Sequence, residues 1–216
     1  MMSDALLDKV FCGDCLELMD RLPDACVDAI ITDPPYGRKS LPLYEGLLKR
    51  AGRLLKPAGH LLVIAPHYAY PEIFSFDAPG LRYRWALTMI QRKGPWPRLC
   101  NAQKTIAVTQ KPILWWTKHP WGGRDFSVVE DSFENPAPEK DAHEWQQAER
   151  WADYCLQWCP EGGVVLDPFL GSGTMAVVCA REGRYCIGME SNPETCERAE
   201  ARIAIARSEF QAQMDI

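Results

Sequence analysis

At 216 residues, 47% apolar and 25% charged, the chain has room for one α/β domain with a sizeable core and not for two. No run of about 18 apolar residues is present, which excludes a helical membrane span, and MMSDALLDKVF lacks the basic start and apolar stretch of a secretory signal. The net charge of −5 is uneven, because residues 78–124 hold nine basic side chains and no carboxylate, leaving 15 basic against 29 acidic elsewhere.

In chain order, Val10-Phe11-Cys12 is a short apolar run ending at Gly13-Asp14, and Cys15 to Leu22 reads as a short helix. Val27 to Thr32 is largely apolar, interrupted by Asp28, and stops at Asp33-Pro34-Pro35, the pattern of a buried strand running into a loop. Leu41 to Leu55 is amphipathic, closed by Lys56-Pro57-Ala58-Gly59, and His60 to Ala65 is a further buried strand. Tyr83 to Gln91 and Ile113 to Thr117 read as strands on either side of a polar loop, whereas Gly122 to Asp141 shows no period and is expected to be loop. His143 to Cys159 reads as helix. Val164 to Leu166, Met175 to Arg181, Tyr185 to Met189 and Pro193 to Arg207 then alternate strand and helix. Such alternation predicts a mostly parallel sheet covered on both faces, with ligands at the carboxyl ends of the strands. Asp14, Asp33, Asp167 and Glu190 each follow a different strand, so four carboxylates are expected on one rim.

Two of these rim segments carry chemistry. In Asp167-Pro168-Phe169-Leu170-Gly171-Ser172-Gly173-Thr174, glycines between strand and helix let backbone approach a ligand, and Glu190 is placed to accept from ribose hydroxyls. The turn lacks the lysine of a P-loop and the three-glycine spacing of a pyrophosphate site. An acidic residue at 167 instead suits a cationic ligand such as S-adenosylmethionine. In Asp33-Pro34-Pro35-Tyr36, two prolines remove backbone donors and stiffen the frame. A carboxylate and a carbonyl can then hold both hydrogens of an –NH2 group, with Tyr36 as a stacking face. A tight proline turn closing the strand is the structural alternative.

Taken together these segments resemble the S-adenosylmethionine-dependent DNA amino-methyltransferases that act on adenine N6 or cytosine N4. Asp33-Pro34-Pro35-Tyr36 is similar to that family's catalytic loop, and Asp167 to Thr174 to its cofactor motif. Met189-Glu190-Ser191 resembles the ribose-binding segment, and Gly13-Asp14, followed by Cys15, the segment that contacts the cofactor's adenine. His143-Glu144-Trp145-Gln146 is similar in placement to the segment contacting the methionine moiety, although Glu144, Trp145, Gln147 and Ala148 depart from its pattern. The catalytic segment precedes the cofactor segment, which resembles the circularly permuted β group. The resemblance implies a Rossmann-like class I methyltransferase fold with a mostly parallel seven-stranded sheet ending in an antiparallel hairpin. It also implies a single catalytic domain over residues 1–216, cofactor contacts at Asp14, Cys15, Asp33, His143, Gln146, Asp167, Phe169, Gly171, Ser172, Gly173, Thr174, Glu190 and Ser191, and catalysis by Asp33, Pro34, Pro35 and Tyr36. A cytoplasmic enzyme acting on DNA is expected, of the kind found in restriction–modification systems and often dimeric. Asp at the loop's first position favours adenine over cytosine N4 as the target, and a non-catalytic nucleotide- and DNA-binding module on the same scaffold is the alternative from another class.

DNA contacts are expected from the basic island, where aromatic residues interleave with Arg92, Lys93, Arg98, Lys104 and Lys118, and where the loops 92–104 and 118–142 are the candidate recognition insertions. Nine cysteines, an odd number and scattered, suit free thiols. Cys12, Cys15, Cys155 and Cys159 have spacings that zinc could use, but buried thiols account for them better, so no metal is expected.

Overall fold

A computed structural model describes residues 4–91, 98–100, 105–107, 109–118, 130–135 and 149–214 of the chain. Its main sheet is built from β1 (Lys9–Cys12), β2 (Val27–Thr32), β3 (Leu55–Ile64), β4 (Leu81–Gln91), β7 (Gln110–Lys118), β8 (Ser132–Asn135), β9 (Val164–Asp167) and β10 (Tyr185–Glu190), in the spatial order β1-β10-β9-β2-β3-β7-β4-β8. Every neighbouring pair is parallel except β3–β7 and β7–β4, so β7 alone runs against the others. β5 (Arg98–Cys100) and β6 (Thr105–Ala107) form a separate antiparallel ribbon between β4 and β7.

The alternation of side chains along the central strands divides the core into two layers. Ala29 and Ile31, Leu62 and Ile64, and Val165 face α4 (Arg150–Leu156), α5 (Thr174–Arg181) and α6 (Pro193–Met214). Ile30, Leu61, Val63, Leu114 and Leu166 face the other way, onto α1 (Cys15–Arg21), α2 (Leu41–Leu54) and α3 (Tyr70–Ser75). Ile30, Ile31, Leu61 and Leu62 are buried on both sides of the sheet plane. Each such side chain contributes about 1.5–3 kcal/mol of burial, which is why these strands read as unbroken apolar runs. α5 is apolar on every face because Thr174 to Ala180 are all buried. α2 is amphipathic, burying Tyr44, Leu47, Leu48, Ala51 and Leu54. Its Gly52 sits so close to the segment before β4 that a Cβ would lie 1.9 Å from the Pro79 carbonyl oxygen, so only glycine fits there.

The sheet has eight strands among the described residues, not the expected seven. Ser132–Asn135, expected as loop, adds to β4 in parallel register, with Phe133 opposite Met89. In it Ser132 and Glu134 are exposed and Phe133 is buried, stacking on Tyr154 at 4.0 Å between ring centroids. A four-residue edge strand with one inward residue has no period to detect. The expected antiparallel pair is present as β4 and β7, with β4 starting two residues earlier and β7 longer at both ends. β3 also starts earlier than expected. Pairing with β2 jumps from Val27–Leu55 to Ala29–His60, so the Lys56-Pro57-Ala58-Gly59 segment bulges out within the strand rather than ending the helix before it.

Candidate active site

β1, β10, β9 and β2 are adjacent and parallel, with Cys12 opposite Glu190, Gly188 opposite Asp167 and Ile30 opposite Leu166. Their carboxyl ends therefore share a rim. The chain proceeds from β9 outward to β10 and from β2 outward to β3, which makes the β9–β2 junction the point where a parallel sheet opens a crevice. Asp167 and Asp33 flank that crevice. Thr32 spans it by donating its hydroxyl to Asp167 Oδ1 at 2.6 Å.

Asp14 caps α1, its Oδ1 accepting from the backbone N–H groups of Leu16 (2.9 Å) and Glu17 (3.1 Å). The N–H of Gly13 donates to the Glu190 carbonyl at 2.9 Å, which ties the first rim loop to the end of β10. Glu190 in turn orders the glycine turn. Its Oε2 accepts from the N–H of Gly171 at 3.1 Å and its Oε1 from that of Asn192 at 2.8 Å. Gly173 caps α5 at φ +88°, and a Cβ there would meet Ala199 at 3.2 Å, so the residue serves both the left-handed backbone and the packing of α6.

Asp167 is 3% exposed, turned inward onto Thr32 and onto the N–H of Phe169 at 3.1 Å. Burial pushes its carboxyl up to about 7, opposed by these two donors and reinforced by Asp33 and Glu190. Asp33 lies at the end of the central strand β2 with its side chain 9% exposed. It accepts a short hydrogen bond from the Tyr36 hydroxyl. Lys111 Nζ donates to the same Tyr36 oxygen at 2.8 Å, stands 3.9 Å from Asp33 Oδ2 and lies 4.8 Å from the Tyr36 ring centroid. Burial and the Asp33 charge raise the Tyr36 hydroxyl well above its ordinary value, so it acts as a donor and not as a phenolate. The ring itself remains half exposed.

Two cavities open on this rim. One, of about 420 Å³, is lined by Gly13, Asp14, Cys15, Leu43, Phe169 and Glu190 together with Asp33, Pro35, Pro168, Met189 and Ser191. Burial raises the Cys15 thiol to about 11, so it meets the cavity as a neutral group. The second, of about 150 Å³, is lined by Asp33, Trp151, Asp167, Phe169, Ser172 and Thr174 with Leu170, Gly171 and Met175. Asp33 and Phe169 line both. The first offers a carboxylate and apolar walls suited to a nucleoside; the second is a small polar recess beside it.

Of the residues expected at a cofactor or catalytic site, those on Asp14 to Cys15, Asp33 to Tyr36, Asp167 to Thr174 and Glu190 to Ser191 are brought to this one rim. His143 and Gln146 lie outside the described residues, as do Arg92, Lys93 and Lys104; Arg98 is in β5. Lys118 is not at the rim. β7 is reversed, so Lys111 stands near the carboxyl end of β3 whereas Lys118 donates to the Leu55 carbonyl at its start, at 2.6 Å. The two lysines are about 23 Å apart along the strand. In sequence Lys111 is only one more charge of the basic island, and no local pattern marks it; its place follows from the antiparallel pairing. Cys12 and Cys15 lie at the rim, while Cys155 and Cys159 are in the core beneath α4.

The family model for DNA methylases of the N6/N4 methyltransferase type matches residues 27–201. The chain is 25% identical to the type II methyltransferase M.HpaI of Haemophilus parainfluenzae, over 90% of this chain and 74% of that protein. Among solved structures, TTHA0409 of Thermus thermophilus complexed with S-adenosyl-L-methionine superposes with a TM-score of 0.67 at 21% identity, covering 94% of this chain and 97% of that one. PvuII DNA methyltransferase, cytosine-N4-specific, superposes with a TM-score of 0.72 at 18% identity, covering 93% and 91%. The two structures share the fold, a class I methyltransferase sheet.

Proposed function

We propose that this chain, which belongs to the DNA methylase family of the N6/N4 type, transfers a methyl group from S-adenosylmethionine to N6 of adenine in DNA. The observation that carries the reading is the position of Asp33: a carboxylate at the end of the central strand, shared by both cavities and already engaged with a hydroxyl donor.

S-adenosylmethionine supplies an activated methyl group on a sulfonium. The larger cavity fits its nucleoside, with Glu190 accepting from the ribose hydroxyls, Phe169 and Pro35 as apolar walls, and Asp14 with Cys15 at the base edge. The smaller recess fits the amino-acid end. Asp33 borders both cavities, which supports a donor methyl lying beside its carboxylate.

Asp33 and the Pro34 carbonyl accept the two amine hydrogens of a flipped adenine. That withdraws the nitrogen lone pair from the ring and aims it at the methyl carbon. Tyr36, with its exposed ring, provides the stacking surface for an extruded base. The carbon–sulfur bond breaks as the nitrogen–carbon bond forms, and the proton shed by the amine passes through Asp33 to solvent. Positioning and charge placement supply the acceleration. Lys111 balances the Asp33 charge and holds the Tyr36 hydroxyl while no base is present.

The aspartate at the head of the loop supports adenine over cytosine N4. Incubation of the protein with S-adenosylmethionine and unmethylated DNA, followed by digestion to nucleosides and mass spectrometry, tests this. N6-methyladenine is expected. N4-methylcytosine would reassign the base, and no methylated nucleoside would overturn the reading.

A further inference from the structure

Trp151 is 3% exposed, and its buried indole Nε1–H has no hydrogen-bond partner among the described residues. A buried tryptophan N–H ordinarily finds an acceptor, and leaving a buried donor unmatched costs about 1–3 kcal/mol. The other such atoms among the described residues, on Glu72, Arg184 and Arg207, belong to side chains with further polar atoms over which a partner can be shared. Indole has one donor and nothing else to offer. Trp151 also lines the small recess behind the glycine turn, where it faces Asp33 and Asp167 across about 150 Å³.

That recess is chemically mixed. Asp33 and Asp167 line it together with Trp151, Ser172 and Thr174, the first residue of the eight-residue helix α5. A helix start favours negative charge, and an aspartate pair favours positive charge. A group fitting both carries an ammonium and a carboxylate a few bonds apart, which is an α-amino acid head.

We infer that Trp151 is a specificity-determining residue of the donor site, its indole N–H donating to the α-carboxylate of the bound methyl donor while Asp33 and Asp167 receive the ammonium. The inference rests on the proposed use of S-adenosylmethionine and assigns its amino-acid end to a residue outside the glycine turn. It accounts for a buried donor left unmatched among the described residues.

Trp151→Phe keeps an aromatic side chain, though a smaller one, and removes the donor. Calorimetric titration of wild type and W151F with S-adenosylmethionine, and with 5′-methylthioadenosine, which lacks the amino-acid end, separates the contributions. Expected is an approximately tenfold loss of affinity for S-adenosylmethionine in W151F, equal to ~1.4 kcal/mol, with methylthioadenosine affinity unchanged. Equal weakening of both ligands, or of neither, overturns the assignment to Trp151 while leaving the methyl-donor reading intact. Failure of the wild type to bind S-adenosylmethionine overturns both. In case W151F does not fold, the indole N–H resonances of the wild type, which has eight tryptophans, provide a second measurement. One resonance should move downfield with S-adenosylmethionine and stay in place with methylthioadenosine; no such movement rejects the proposal.

Discussion

The two ends of the central sheet treat charge in opposite ways. At the amino ends of the parallel strands, carboxylates are matched one by one. Asp8 pairs with Arg207 at 2.8 Å, Asp24 with Arg53 at 2.7 Å and Asp28 with Lys56 at 2.7 Å. His60 there is kept neutral, pushed down to about 4 by burial and by Arg84, and accepts from Trp115 Nε1 at 3.1 Å. At the carboxyl ends, Asp14, Asp33, Asp167 and Glu190 gather around two cavities. Hydroxyls and backbone N–H groups serve them, and Lys111 is the cation that the described contacts bring to Asp33. One end is built so that the fold holds itself; the other is built with acceptors left for something else to satisfy. That difference separates the residues whose loss should cost stability from those whose loss should cost chemistry.

Asp33→Ala is the largest expected break on the active side. Methyl transfer measured in a single turnover should fall by about a thousandfold or more, while the melting temperature stays within a few degrees of wild type. The converse break is Arg207→Met at the opposite end. It removes the pair with Asp8 and donors to the Arg184 and Ala180 carbonyls. Both partners are partly exposed, so a loss of about 2–3 kcal/mol is expected in urea unfolding, with turnover per folded molecule unchanged.

Asp167→Asn sharpens the comparison by improving stability at the expense of binding. The Asp167 carboxyl is raised from 3.8 to about 7 in the fold, so the folded protein holds a proton that the unfolded chain releases. Stability of the ligand-free protein therefore falls as pH rises from about 4 through 7. The asparagine variant should lose that slope, melting a few degrees higher at pH 8 and showing no gain at pH 4, while binding S-adenosylmethionine more weakly. The smallest effect contrasts two lysines on one strand. Lys111→Met should lower kcat/KM about fivefold through the loosened Asp33–Tyr36 contact, and Lys118→Met should change it by less than twofold. Equal effects would mean that both ends of β7 serve the substrate.

The same contrast separates what is legible in the chain from what is not. β2 and the glycine turn are legible because burial on both faces writes a continuous apolar run, and the carboxylate that follows each run has to emerge at its end. The rim of four acidic residues follows from that alone. What local sequence does not reveal depends on pairing between distant segments. β8 has one inward side chain, and its pairing with β4 is set by Thr88 donating to the Asp131 carbonyl and by Phe133 on Tyr154. Lys111 and Lys118 are equivalent in sequence, and only the reversal of β7 between β3 and β4 sends them to opposite ends. Trp151 reads as one more apolar residue of a helix; its unmatched donor is visible only once the core around it has closed.

On the proposed reaction, the hydrogen bond from Tyr36 to Asp33 bears on which groups the carboxylate can accept. Asp33 already accepts from a hydroxyl donor, and anything that displaces it has to bring a donor of its own. An exocyclic amine does so. The O4 of thymine and the O6 of guanine present lone pairs instead, setting oxygen against oxygen at a carboxylate with nowhere to place the repulsion. Guanine also carries an amine at N2, so on the proposed reaction the polarity of Asp33 would select the base edge that is presented, and a displaced hydroxyl would be its first test.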